Sequence, residues 1–83
     1  MKKLLMLLIL TVLASAAVDI NNASLKQLTT LKGIGKKKAE AIVAYRKTYC
    51  FKSGDELIKV KGIGKKLLQK NKKEITVGKC KQR

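Results

Sequence analysis

The chain has no histidine and no tryptophan, and only five acidic side chains among 83 residues. Each scarcity excludes something. Two cysteines without histidine argue against a structural zinc site, which needs four Cys or His ligands. The carboxylates Asp19, Glu40, Asp55, Glu56 and Glu74 form no cluster suited to a catalytic metal. Asp55 and Glu56 read instead as helix-start residues, and Glu40 as a helical partner of neighbouring lysines. So short a chain also leaves little room for a base pocket, and the expectation is no enzyme and no cofactor. No alternating strand pattern stands out. Ile75-Thr76-Val77 is β-like in composition but too short to carry a sheet. A P-loop is excluded because no Gly-x-x-x-x-Gly-Lys-Ser/Thr string occurs.

What is abundant is positive charge. Lys and Arg number 20, for a formal net charge of +15. Such an excess calls for a polyanionic partner, and charge alone does not choose between DNA, RNA and an anionic membrane surface. The start of the chain has a separate logic. Met1-Lys2-Lys3 is a short basic start, Leu4 to Leu10 an apolar run extended by Val12 and Leu13, and Ala14-Ser15-Ala16 a small-residue cleavage pattern. This order predicts a signal peptide over 1–16, cleaved after Ala16 or Ala17, and hence an exported, periplasmic protein. The alternative, an uncleaved anchor, needs roughly 20 apolar residues. Residues 17–83 then form one domain, with 18 basic against 5 acidic side chains. Cys50 and Cys80 both fall in that part. Export permits a bridge between them, which would add roughly 2–4 kcal/mol by restricting the unfolded chain. Spacing alone leaves two free thiols open.

An internal repeat organises the rest. Leu28 to Lys37 reads LTTLKGIGKK and Leu57 to Lys66 reads LIKVKGIGKK, with seven of ten positions identical. Duplication of one supersecondary unit explains this. In each unit an apolar stretch spaced by three (Leu25, Leu28, Leu31; then Leu57, Val60) reads as one helix face. Gly-Ile-Gly follows, where glycine ends a helix by taking positive φ. A second helix then begins, carrying Ala39, Ile42, Val43 and Arg46 on one face in the first unit, beside Tyr45 and Tyr49. Asn21 and Asn22 are expected to cap the first helix. Ser53 and Glu56 have capping-box spacing, which predicts a helix start just before Leu57, with Tyr49 to Lys52 as the link between units. Asn71 breaks the repeat, because it stands where the first copy has Ile42. Either it sits at the domain edge, or the last helix is loosely packed and leans on Ile75. The fold expected is all-α: a compact tandem of helix, hairpin, helix units with four to five short helices.

The repeated string suits a phosphate. A helix start offers unpaired N–H groups and the positive end of the dipole, where an anion fits. Gly33 and Gly35, with Gly62 and Gly64, keep bulky groups away, while Ile34 and Ile63 turn inward and pin each hairpin to the core. Lys36, Lys37, Lys65 and Lys66 crowd cations onto the first turn, which is unfavourable for the helix itself and points to an external anion.

The ordered set Asp19-Ile20-Asn21-Asn22-Ala23-Ser24, Leu28, Gly33-Ile34-Gly35, Ala39, Ile42, Tyr45-Arg46, Phe51-Lys52-Ser53, Leu57 and Val60-Lys61-Gly62-Ile63-Gly64 resembles the ComEA family. Its members are the helix-hairpin-helix DNA receptors of natural transformation. The resemblance runs from Val18 to Val77. It implies a tandem helix-hairpin-helix domain that binds double-stranded DNA through the phosphate backbone without sequence preference. It further implies competence-linked DNA uptake in the periplasm and an inner-membrane DNA channel as a second partner. Lys32 stands where many relatives have Pro, and Asn71 where an apolar residue is expected. Two other readings remain: an exported tandem-hairpin protein of DNA repair or modification, and a basic membrane-active peptide. The latter needs a long apolar helix face, whereas these helices read as short and glycine-broken.

Overall fold

Residues 17–80 are described by a computed structural model, and the expected leader over 1–16 lies outside them. The chain enters as strand β1, Val18–Asp19, and passes through a turn to helix α1, Leu25–Leu28. A tight turn leads to α2, Lys36–Thr48. The second unit opens with a 3-10 helix, Gly54–Lys59, and a matching turn leads to α3, Lys65–Asn71. A 3-10 turn, Lys72–Glu74, delivers strand β2, Ile75–Thr76.

The chain is mostly helical, as expected, and the two short strands add a small parallel sheet that the all-α expectation lacks. They pair in parallel, Val18 against Ile75 and Asp19 against Thr76, and Ile20 N–H extends the ladder by donating to Thr76 C=O at 3.1 Å. Parallel neighbours need a long crossover, and here both helical units serve as that crossover.

The repeat is visible in the core. Leu28 and Leu57, Leu31 and Val60, Ile34 and Ile63, and Ala39 and Leu68 are equivalent positions of the two units, and all are buried. Val18, Ile20, Ala23, Ile42 and Phe51 complete the cluster. Tyr45 stacks on Phe51 with ring centroids 5.1 Å apart, which covers one side of it. Leu25 departs from its predicted core face and is exposed, while Leu28 of the same helix is fully buried.

Polar ties differ from those predicted. Ser24, not Asn21 or Asn22, caps α1: Gln27 N–H donates to Ser24 Oγ, and Ser24 N–H donates to Gln27 Oε1. Asn21 is buried instead, where it holds Phe51 by both backbone groups and also donates to Gly78 C=O. The Ser53–Glu56 box does not close. Ser53 makes no side-chain cap, and Glu56 Oε1 accepts from Lys52 N–H at 2.9 Å, one residue further back. Asn71 is neither at an edge nor loosely packed: it is buried and fully hydrogen-bonded.

The ends of the domain are clasped together. Asp19 Oδ1 accepts from the N–H groups of Asn21 and Gly78, and Asp19 Oδ2 accepts from Asn22 Nδ2. Partial burial opposes ionisation of this carboxyl, but those bonds outweigh it and hold the pKa below the ordinary 3.8. Arg46, reaching up from α2, donates to the carbonyls of Ile20 and Ala23. Cys50 and Cys80 are disulfide-bonded with Cα atoms 5.7 Å apart, which joins the inter-unit link to the tail.

Candidate nucleic-acid interface

Each Gly-Ile-Gly string builds the same object from the backbone up. In the first, Ile34 N–H donates to Leu31 C=O at 3.1 Å, closing a four-residue turn. Gly33 is its third residue, with φ 74°. In the second, Ile63 N–H donates to Val60 C=O at 3.0 Å, and Gly62 has φ 93°. Positive φ at the third position is the mark of a type II turn and favours glycine there. Ile34 and Ile63 follow and are buried, so each turn is anchored from within as expected.

The second glycine of each string, Gly35 or Gly64, is the N-cap of the next helix, with extended backbone and no side-chain capping bond. The first intrahelical bonds run from Ala39 N–H to Gly35 C=O at 2.9 Å and from Leu68 N–H to Gly64 C=O at 3.0 Å. The N–H groups ahead of them therefore have no helical partner. A Cβ built on Gly35 or Gly64 would meet no atom within 4 Å. The space in front of both helix starts is open, so the protein's own packing does not demand glycine there.

Charge completes the picture. Neither helix has an acidic residue in its first turn, and Lys36, Lys37, Lys65 and Lys66 are all exposed. An open cleft of about 390 Å³ lies beside the second hairpin, lined by Lys65, Lys66, Gln69 and Lys70. The ten residues Gly33 to Lys37 and Gly62 to Lys66 thus form two like assemblies of backbone donors and cations. Among the described residues no cluster of His, Cys, Asp and Glu could hold a metal ion.

The two assemblies lean on each other. A Cβ on Gly33 would come within 2.6 Å of Leu67 Cδ1, and one on Gly62 within 3.7 Å of Lys38 Cε. Leu67 and Lys38 are equivalent positions of the repeat. Each hairpin turn therefore sits against the first turn of the other unit's second helix. The domain is pseudo-symmetric, with both hairpins tied through one interface. Lys38 and Asn71 were missed in the sequence reading. Nothing in the local sequence distinguishes Lys38 from the other lysines, and Asn71 stands out only as a break in the repeat.

Two hairpins built on a shared core, each opening into an uncapped, lysine-rich helix start, define a tandem helix-hairpin-helix protein. A sequence profile described as the helix-hairpin-helix motif matches residues 14–76, and the chain belongs to that family. It is similar to ComE operon protein 1 of Bacillus subtilis, 46% identical over 63 residues that make up 75% of this chain and 31% of the relative. It is also similar to an uncharacterised protein of Haemophilus influenzae, 44% identical over 63 residues, covering 74% of this chain and 56% of the relative. The chain thus spans only about a third to a half of the curated relatives it matches. These matches agree with the resemblance to the ComEA family carried by the motifs.

Proposed function

We propose that this protein binds double-stranded DNA through its phosphates, without reading base sequence, and that it acts outside the cytoplasm as a receptor for DNA taken up in natural transformation. The observation that carries the proposal is the paired geometry. Two helix starts with free N–H groups, no capping side chain and two exposed lysines each are presented side by side on one shared core. A phosphate at each would receive backbone hydrogen bonds, the helix dipole and lysine charge together. Phosphate contacts carry no base code, so binding is sequence-independent. Similarity to ComE operon protein 1 supports the uptake role, and the leader-like residues 1–16 support export to the periplasm. An inner-membrane channel is the partner to which such a receptor would pass DNA.

The protein works as a binder rather than a catalyst. Asp19 is engaged in the terminal clasp, Glu56 lies 3.7 Å from Lys59, and Asp55 lies 3.0 Å from Lys72. These carboxylates serve the fold. The decisive experiment is fluorescence anisotropy on unrelated duplex sequences across a salt series. Equal affinities that fall steeply with salt are expected from counterion release. Absence of binding at low salt by a folded sample would refute the proposal.

A further inference from the structure

The two hairpins share a backbone design but not the same support, and the difference lies in one side chain. Asn71 Oδ1 accepts from Lys32 N–H at 2.7 Å, and Asn71 Nδ2 donates to Lys32 C=O at 2.9 Å and to Leu67 C=O at 3.0 Å. One amide from the last helix therefore grips both backbone groups of the second residue in the first hairpin turn. At the equivalent place in the other unit stands Ile42, fully buried and without a polar atom to offer Lys61. The core slot thus accepts an apolar side chain. Filling space does not require an amide, and a buried amide is costly unless its bonds are met. Here they are met by the opposite hairpin, 39 residues away in the chain.

We infer that Asn71 is a positioning residue that tightens the spacing of the two hairpins in this chain and so raises the preference of the site for duplex over single-stranded DNA. The inference rests on the DNA-binding reading above. A duplex presents phosphates at set separations across a groove. Two phosphate cradles held at one distance engage two of them together, the second contact being intramolecular. A single strand bends to suit either spacing, so it gains little from the clamp. Loosening the clamp costs duplex binding and leaves single-strand binding nearly unchanged.

The repeat supplies its own control. Proline fits the second position of a type II turn but has no N–H to give Asn71. The residue before such a proline must be extended, and Val60 in the second turn has φ −83° and ψ 131°. Lys32→Pro removes the N–H half of the clamp and leaves the buried Asn71 Oδ1 without its donor, while the carbonyl at position 32 still accepts from Asn71 Nδ2. Lys61→Pro makes the same chemical change at the twin position, where there is no clamp to break. Asn71→Ala breaks it from the other side. The full chain, expressed and purified as the cell processes it, is titrated with a mixed-sequence duplex and with a single-stranded oligothymidylate of equal length, across salt.

Lys32→Pro and Asn71→Ala are expected to lower the duplex-to-single-strand affinity ratio roughly tenfold, with a shallower duplex salt slope, while Lys61→Pro stays within about twofold of the parent ratio. A general loss of stability would weaken both ligands alike and leave the ratio in place. If Asn71→Ala fails to fold, the comparison of Lys32→Pro with Lys61→Pro decides alone. An unchanged ratio in folded Lys32→Pro, or an equal fall in Lys61→Pro, overturns the clamp. A parent protein that binds duplex with no preference over single strand also overturns it. A parent protein that binds no duplex at low salt defeats the DNA reading instead.

Discussion

The first hairpin and the second carry the same six residues, Lys-Gly-Ile-Gly-Lys-Lys, and adopt the same turn against different backing. Behind Gly33 stand Leu67 and, on Lys32, the Asn71 amide, and behind Gly62 stands the aliphatic stem of Lys38, with Ile42 at the repeat position that Asn71 holds in the other unit. The first hairpin feeds a helix of 13 residues, the second a helix of 7 that tightens into a 3-10 turn. Identical local sequence thus produces identical turns despite unlike neighbours. The hairpin conformation is a local property, set by glycine at positive φ and an inward isoleucine. The spacing between hairpins is a tertiary property, set by residues that lie outside the repeated string.

The largest expected effect removes both cation pairs. Changing Lys36, Lys37, Lys65 and Lys66 to Glu should abolish duplex binding while circular dichroism shows the helices intact. Splitting the change sharpens the comparison. Lys36→Glu with Lys37→Glu, and Lys65→Glu with Lys66→Glu, should each cost about 10- to 100-fold and flatten the salt slope by similar amounts. A loss confined to one pair would show that a single hairpin carries the contact and would break the symmetry argument.

Next in size is the bridge. The disulfide fastens the tail that follows the shorter, second-unit helix. Cys50→Ser should lower stability by roughly 2–4 kcal/mol, read as a lower Tm under oxidising conditions. Added reductant should bring parent and variant to the same Tm. Equal melting of the two oxidised proteins would show that the clasp of Asp19, Asn21 and Asn22 holds the tail unaided.

A smaller effect compares the two turns directly. Gly33→Ala and Gly62→Ala both force a Cβ into the left-handed region, at about 1–2 kcal/mol each. At Gly62 the new methyl meets Lys38 at ordinary contact distance, whereas at Gly33 it crowds Leu67 Cδ1. Gly33→Ala should therefore be the more damaging by denaturant unfolding, and by only a little, since Leu67 can turn its tip aside. A larger penalty at Gly62 would mean that the second turn is the more tightly held.

What was legible follows the same division between local and tertiary. The hairpins, the inward Ile34 and Ile63, the link at Tyr49 to Lys52 and most of the core could be read, because a repeat with one offset displays equivalent positions side by side. The amides were misread. Asn21 and Asn71 bond to backbone 30 and 39 residues away, and such partners leave no mark in nearby sequence. Two-residue strands have no alternation to detect, so Val18 and Ile75 gave no sign that they pair. Ser53 and Glu56 had the right spacing for a cap, but the segment wound as a 3-10 helix, which let Glu56 reach Lys52 instead. Lys32 and Asn71 each depart from the family pattern, and nothing near either of them in sequence points to the other. That they bond to each other became visible only in three dimensions.

The smallest expected effect concerns pH and isolates the terminal clasp from both hairpins. Asp19 has a folded-state pKa below its ordinary value of 3.8. A depressed carboxyl pKa contributes stability that is fully present above the unfolded value, and that is lost as pH falls through the folded one. Tm should therefore hold steady through neutral pH as far as this group is concerned, and decline below about pH 4 as Asp19 takes up a proton. Protonation weakens its hold on Gly78 and Asn22, and so frees the tail, while the hairpin turns contain no carboxylate to titrate. Asp19→Asn should remove part of that acid-dependent decline and lower Tm near neutrality, because its amide nitrogen would face Asn22 Nδ2. Duplex affinity of the folded variant should be unchanged. If affinity fell with the clasp while the protein stayed folded, the termini and the hairpins would be one coupled unit, and the division between local turns and tertiary spacing would have to include the tail.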